Sequence, residues 1–128
     1  MTCISSHRVW INEQFIPATL ILENGKITEI HPGISAHSQS YGNARIIPGM
    51  IDVHTHGYGG GDASDGDPET IRIWKRYLPR EGVTTFLPGT VTRSEARIIQ
   101  ALQAIRTVIE EQDTDGAHIP GIFLQGPY

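Results

Sequence analysis

Two histidines one residue apart, His54 and His56, separate an apolar run at 45–53 (RIIPGMIDV) from a glycine-rich stretch at 57–61 (GYGGG). Side chains alternate along a strand, so residues 54 and 56 share a face while Thr55 turns away. Two imidazoles spaced this way can chelate one divalent cation, because neutral imidazole is the commonest protein ligand for such ions. Asp52 is expected on the same face, where a carboxylate would orient a histidine from behind. A bare His-x-His also occurs without metal, as two polar residues at a strand end. The surrounding sequence has to separate these readings.

Other chemistry-bearing residues are weaker leads. Gly57, Gly59, Gly60 and Gly61 are not followed by the Lys-Ser/Thr of a phosphate-cradling loop, which leaves a flexible rim loop as the expectation. Asp62, Asp65 and Asp67 have Ile73 where a calcium loop needs its twelfth-position Glu, so solvation and helix capping are expected of them. Trp10, Trp74 and Phe86 read as packing residues. Cys3 has no histidine motif around it, His7, His31, His37 and His118 carry no assignable role, and Thr84 and Thr85 are strand formers first.

The chain has 128 residues, 38% hydrophobic and 19% charged, with net charge −4. That is one domain's worth of sequence with enough apolar mass for a core. Mild acidity gives no electrostatic reason to expect nucleic acid or an anionic membrane as partner. A single cysteine excludes an intrachain disulfide and suits a reducing compartment. The first residues lack a basic head joined to an apolar core, and no apolar run approaches the ~20 residues of a membrane helix. The expectation is a soluble, cytoplasmic protein.

The elements that must position the histidines follow from periodicity. Residues 7–30 alternate and are β-rich, with Asn24-Gly25 as a tight hairpin signal. Residues 31–43 are loop-like, so 1–47 is expected to be a small antiparallel, β-sandwich-like unit. The run at 45–53 reads as one buried strand. Asp67 and Pro68 mark a helix start, to about Arg80, with Ile71, Trp74, Tyr77 and Leu78 on its core face and Pro79 disturbing its last turn. A buried strand follows Gly82. Thr92 and Glu95 suggest a capping box for a helix to about Gln112, with Ala96, Ile99, Leu102, Ile105, Arg106 and Ile109 supplying most of a core stripe. A third apolar strand is expected at about 121–124. The order β-α-β-α-β, with strands apolar on both faces, predicts parallel strands between helices. The active groups of such sheets lie at the strands' C-terminal ends, where His54, His56 and Gln125 all fall.

Three stretches in this order and spacing, IPGMIDVHTHGYGGGDASDG, EGVTTFLPGT and GIFLQGPY, resemble the amidohydrolase superfamily and, within it, the N-acetylglucosamine-6-phosphate deacetylase family. The resemblance runs over essentially the whole chain. It implies that 48–128 is the first three strands of a (β/α)8 barrel, preceded by the 1–47 unit, which in that family forms a sandwich from both chain ends. It also implies a divalent metal, zinc or iron, held by His54 and His56, and hydrolysis of N-acetylglucosamine 6-phosphate to glucosamine 6-phosphate and acetate. Where the family has a glutamate ligand, this chain has Gln125, a neutral donor expected to bind metal less tightly.

A (β/α)8 barrel takes about 250 residues, and 80 follow Pro48. No position here matches the family's acid/base aspartate or its further metal histidines. The chain is therefore expected to be an N-terminal portion, inactive alone, that needs a second polypeptide or another copy to complete the barrel. Another cyclic amidase of the superfamily and a noncatalytic remnant or assembly module are the rival readings.

Overall fold

The computed structural model describes residues 1–111 and 115–126, in two compact units, Met1–Pro48 and Gly49–Tyr128. The expected helix end at Gln112, and Pro127 and Tyr128 of the GPY motif, lie outside the described residues.

In the first unit, β1 (Thr2–Ile11), β2 (Gln14–Glu23) and β3 (Lys26–Pro32) form an antiparallel meander. Asn24 and Gly25 both take positive φ (50° and 75°), the left-handed pair that a two-residue hairpin turn requires. The following residues are not simply loop. Gln39–Ser40 (β4) and Arg45–Ile46 (β5) pair with β1 in parallel, so the sheet is mixed rather than antiparallel throughout. Buried hydroxyls explain the return. Ser6 Oγ donates to the carbonyls of Gly42 and Ala44, and Thr19 Oγ1 donates to Gly33 O at 2.9 Å. The hydroxyls need partners once they leave water, and the loop backbone provides them. Val9, Ala18 and Leu20 form this unit's small core.

The second unit starts at β6 (Met50–Thr55), because the expected single strand over 45–53 is interrupted at Pro48-Gly49. A Cβ on Gly49 would lie 2.1 Å from the Thr84 hydroxyl oxygen, so the missing side chain leaves the room that the Thr84 side chain fills. The glycine-rich stretch forms a hairpin of β7 (Gly57–Tyr58) and β8 (Gly61–Asp62), turned by Gly59 and Gly60 at φ 62° and 91°. A 3₁₀ turn (Ala63–Asp65) follows, capped reciprocally by Asp62 and Asp65. Helix α1 (Pro68–Tyr77) begins as expected, with Asp67 Oδ1 accepting from Glu69 N. It tightens into a 3₁₀ turn (Leu78–Glu81) at Pro79, which has no N–H to continue the ladder. Then come β9 (Val83–Pro88) and α2 (Glu95–Glu110).

Strands β6 and β9 pair in parallel. The segment after α2 joins the other edge of β9 through parallel bridges at Thr85–His118 and Gly89–Phe123. The expected third strand is thus reduced to two bridges, with Pro120, which has no N–H, between them. The core gathers Ile71 and Trp74 of α1, Leu78 of the 3₁₀ turn after it, Phe86 of β9, Ile105 and Val108 of α2, and Ala117 and Ile119.

Several faces differ from expectation. Tyr77 is 41% exposed and carries Arg80 over its ring at 4.6 Å. The buried stripe of α2 is Ile98, Ala101, Ala104, Ile105 and Val108, so that Ala96, Ile99 and Arg106 point outward. The helix is capped at Ser94 without a side-chain bond, and Thr92 Oγ1 instead donates to Gly126 O at 2.5 Å. Strand β6 is not buried on both faces: Met50, Ile51 and Val53 are 51, 66 and 59% exposed. Among the described residues its only ladder partner is β9. No helix among the described residues is long and apolar enough to cross a membrane.

Candidate metal centre

The two histidines lie at the C-terminal end of β6, where the strand carries an irregularity. Asp52 is opposite Phe86 and Thr55 opposite Pro88, so three steps on β6 match two on β9. Such a bulge re-aims the side chains beside it and leaves a backbone group without a ladder partner. Asp52 supplies that partner: its Oδ1 accepts from the His54 backbone N–H at 3.0 Å. The expected contact of Asp52 with an imidazole is therefore replaced by one with the backbone, since the short aspartate reaches the N–H two residues on. Among the described residues no carboxylate hydrogen-bonds either ring.

The rings meet in front of the strand end. His54 Nε2 lies 3.0 Å from His56 Nε2 and 2.6 Å from Gln125 Oε1. Gln125, 71 positions further along the chain, arrives on the segment that bridges to β9. His56 Nδ1 lies 3.0 Å from the carbonyl oxygen of Gly89. A carbonyl only accepts, so Nδ1 carries the proton and Nε2 keeps its lone pair. Gln125 Oε1 also only accepts, so His54 Nε2–H donates to it. One proton is thus surrounded by an imidazole lone pair and an amide oxygen.

This donor set suits a cation. Ligands of one tetrahedral zinc, each about 2.0–2.1 Å from the metal, stand roughly 3.3 Å apart. His54 Nε2 stands a little closer than that to each of the other two atoms, at 3.0 and 2.6 Å. All three are neutral, and two are nitrogens of the kind that zinc and iron accept. Among the described residues no group of three His, Cys, Asp or Glu side chains is placed to hold a metal. The site therefore offers two such ligands and an amide oxygen. Gln125 and His54 are exposed and His56 is half-buried, leaving the approach open.

Two residues here went unassigned in the sequence. Gly89, within GVTTFLPGT, supplies the carbonyl for His56, and Phe123, within GIFLQG, lies against the His54 ring at 4.4 Å between centroids. The Pro-Gly pair after a strand was visible as a turn signal. Its contact with an imidazole 33 residues away was not.

No family model matches the chain. It is 40% identical over 96 residues to the N-acetylglucosamine-6-phosphate deacetylase of Bacillus subtilis (strain 168), covering 73% of this chain and 24% of that protein. To the enzyme of that name from Vibrio furnissii it is 33% identical over 131 residues, covering 98% of this chain and 33% of that one. The crystal structure of N-acetyl-D-glucosamine-6-phosphate deacetylase from Mycobacterium smegmatis shares its fold over 100% of this chain and 36% of that one, with TM-score 0.80 at 21% identity. This chain spans a third or less of the length of those two curated relatives.

Proposed function

Because the chain belongs to the N-acetylglucosamine-6-phosphate deacetylase family, we propose that His54, His56 and Gln125 hold a divalent cation, zinc or iron, for amide hydrolysis. Residues 48–128 then correspond to the first three strands of a (β/α)8 barrel, with the cation at its C-terminal rim. The observation that carries this reading is that His54 Nε2 lies 3.0 Å from His56 Nε2 and 2.6 Å from Gln125 Oε1.

The substrate class is an amino-sugar phosphate whose acetamide is cleaved to the free amine and acetate, in the cytoplasm. A bound cation would polarise the amide carbonyl and render a water nucleophilic at neutral pH. The chain's own residues hold and orient. His56 offers Nε2 because Gly89 occupies its other nitrogen. His54 gives up its proton to offer Nε2, and Gln125 adds an uncharged oxygen. With no carboxylate partner at the site among the described residues, the cation's charge would not be neutralised by these ligands. Hydrolysis also requires a base for the water and an acid for the leaving amine. Asp52, the nearby strand carboxylate, is engaged with the His54 backbone. These 128 residues by themselves are therefore expected to show no turnover, which needs further barrel strands beside β6 to cover its exposed Ile51 and Val53.

Metal content after dialysis against zinc or iron tests the reading. The expected result is bound metal in the native chain and its loss in both His54→Ala and His56→Ala. Unchanged metal in the two variants rules these residues out as ligands. Sustained acetate release from N-acetylglucosamine 6-phosphate by the purified chain would show that it builds a complete site unaided.

A further inference from the structure

Gly89 and Phe123 are partners in the parallel bridge just beyond β9. From this one pair come contacts to both imidazoles. The Gly89 carbonyl accepts from His56 Nδ1–H at 3.0 Å. The Phe123 ring faces that of His54 at 4.4 Å and 30° between planes. Gly89 also donates its N–H to the carbonyl of Thr55, the residue between the two histidines, at 2.6 Å. Its lack of a side chain is part of the arrangement. A Cβ at position 89 would stand 3.1 Å from Thr55 O and 3.2 Å from His56 Nδ1. Either the ring or the strand end would have to give way.

We propose that the Gly89–Phe123 pair positions both metal-ligating imidazoles, Gly89 by holding His56 with its proton on Nδ1 and Phe123 by fixing the plane of the His54 ring. This rests on the reading of His54 and His56 as ligands. Neither residue touches the cation. Gly89 decides which His56 nitrogen faces it, and a ring with its proton on Nε2 cannot ligate through that atom. Phe123 acts through stacking, which limits how far His54 can rotate about its side-chain bonds. One strand bridge thereby sets the mutual geometry of two ligands carried on a different strand.

The test compares the native chain with Gly89→Ala, Phe123→Leu and, as a control for packing alone, Ile122→Ala. Ile122 packs against the core cluster. Ring ¹⁵N–¹H correlation spectra of the metal-free chain report each histidine's tautomer, and competition against a chromophoric chelator gives zinc affinity. The expected native spectrum has His56 protonated on Nδ1 alone. Gly89→Ala should mix the His56 tautomers and weaken zinc binding by about 10–100-fold, the usual effect of losing a group that orients a ligand. Phe123→Leu should leave the His56 tautomer intact and still weaken zinc. Ile122→Ala should lower the unfolding midpoint while leaving tautomers and affinity as they were. If Gly89→Ala does not fold, the native spectrum and Phe123→Leu still decide. A native His56 protonated on Nε2, or native affinity in both Gly89→Ala and Phe123→Leu, overturns the positioning role. Zinc binding that survives His54→Ala and His56→Ala instead overturns the metal reading itself, and the proposal with it.

Discussion

Strands β6 and β9 are neighbours in one parallel ladder, each six residues long, yet only β9 is interior. Phe86 and Pro88 of β9 are fully buried, whereas β6 leaves Met50, Ile51 and Val53 in solvent. The residues that β6 leaves exposed are themselves apolar, so hydrophobicity does not account for the difference. Neighbours do. β9 is flanked by β6 on one edge and by the bridging segment at 118–123 on the other, and its Phe86 packs with residues of both helices. β6 is flanked on one edge among the described residues. The comparison also separates two tasks. The covered strand carries the packing, and the uncovered one ends in the residues that could do chemistry.

The largest effects expected from this contrast are in stability. Phe86→Ala should destabilise the chain by about 3–5 kcal/mol, the usual cost of removing a buried ring and leaving a cavity. Ile51→Ala should change it by no more than about 0.5 kcal/mol, as at an ordinary surface site. Urea unfolding measures both. An equally large loss at Ile51 would break the comparison, because β6 would then be covered in solution.

Gln125→Glu should act on the site and not on the fold. A charged oxygen of nearly the same shape should tighten zinc binding by about tenfold, roughly 1.4 kcal/mol, with little change in the unfolding midpoint of the metal-free chain. Equal zinc affinity in a chelator competition would mean that residue 125 does not ligate.

The two helices that flank β9 allow a finer contrast. Asp67 caps α1 through its side chain, so Asp67→Ala should cost about 1 kcal/mol. Ser94 caps α2 without a side-chain bond, and Ser94→Ala should cost a few tenths at most, roughly the scale of ordinary surface changes. Comparable losses in urea unfolding would show that Ser94 does cap in solution.

The smallest effect concerns the exposed pairing of α1 with the end of α2. Arg72 Nη2 lies 2.5 Å from Glu111 Oε1, and Nη1 lies 3.2 Å from Glu69 Oε2. Hydrogen bonds to Glu111 and then to Glu69 raise the guanidinium pKa above its ordinary value. A raised pKa means that the stabilisation is complete below the unfolded guanidinium value and fades only as pH climbs through the higher folded one. No loss from Arg72 deprotonation is therefore expected at any ordinary alkaline pH. Arg72→Gln should lower the unfolding midpoint slightly, and the difference should vanish in about 1 M salt, where the screening length is roughly 3 Å. A salt-independent loss would point to packing of the arginine stem instead.

What the sequence determined by itself is local. Asn24-Gly25 dictated a left-handed turn, Asp67-Pro68 a helix start and Pro79 the tightening of that helix, because each acts through its own backbone geometry. The His-x-His spacing put two imidazoles on one side of a strand end for the same reason. The three quoted motifs, acting together, placed the chain in its family. Periodicity was less decisive for α2, where apolar residues are frequent enough to suggest a stripe turned away from the true one, and only packing, with α1 and the 3₁₀ turn at Ala63–Asp65 among its neighbours, decided that Ile98, Ala101 and Ala104 are buried. Tertiary structure alone diverted Thr92 from its capping box to Gly126, turned Asp52 to a backbone N–H at a bulge, and brought Gly89, Phe123 and Gln125 to the histidines. Apart from the Asp52 turn, those contacts span 33 to 71 positions. They follow from how two strand ends and a bridging segment align in space, a relation that no local pattern of residues encodes.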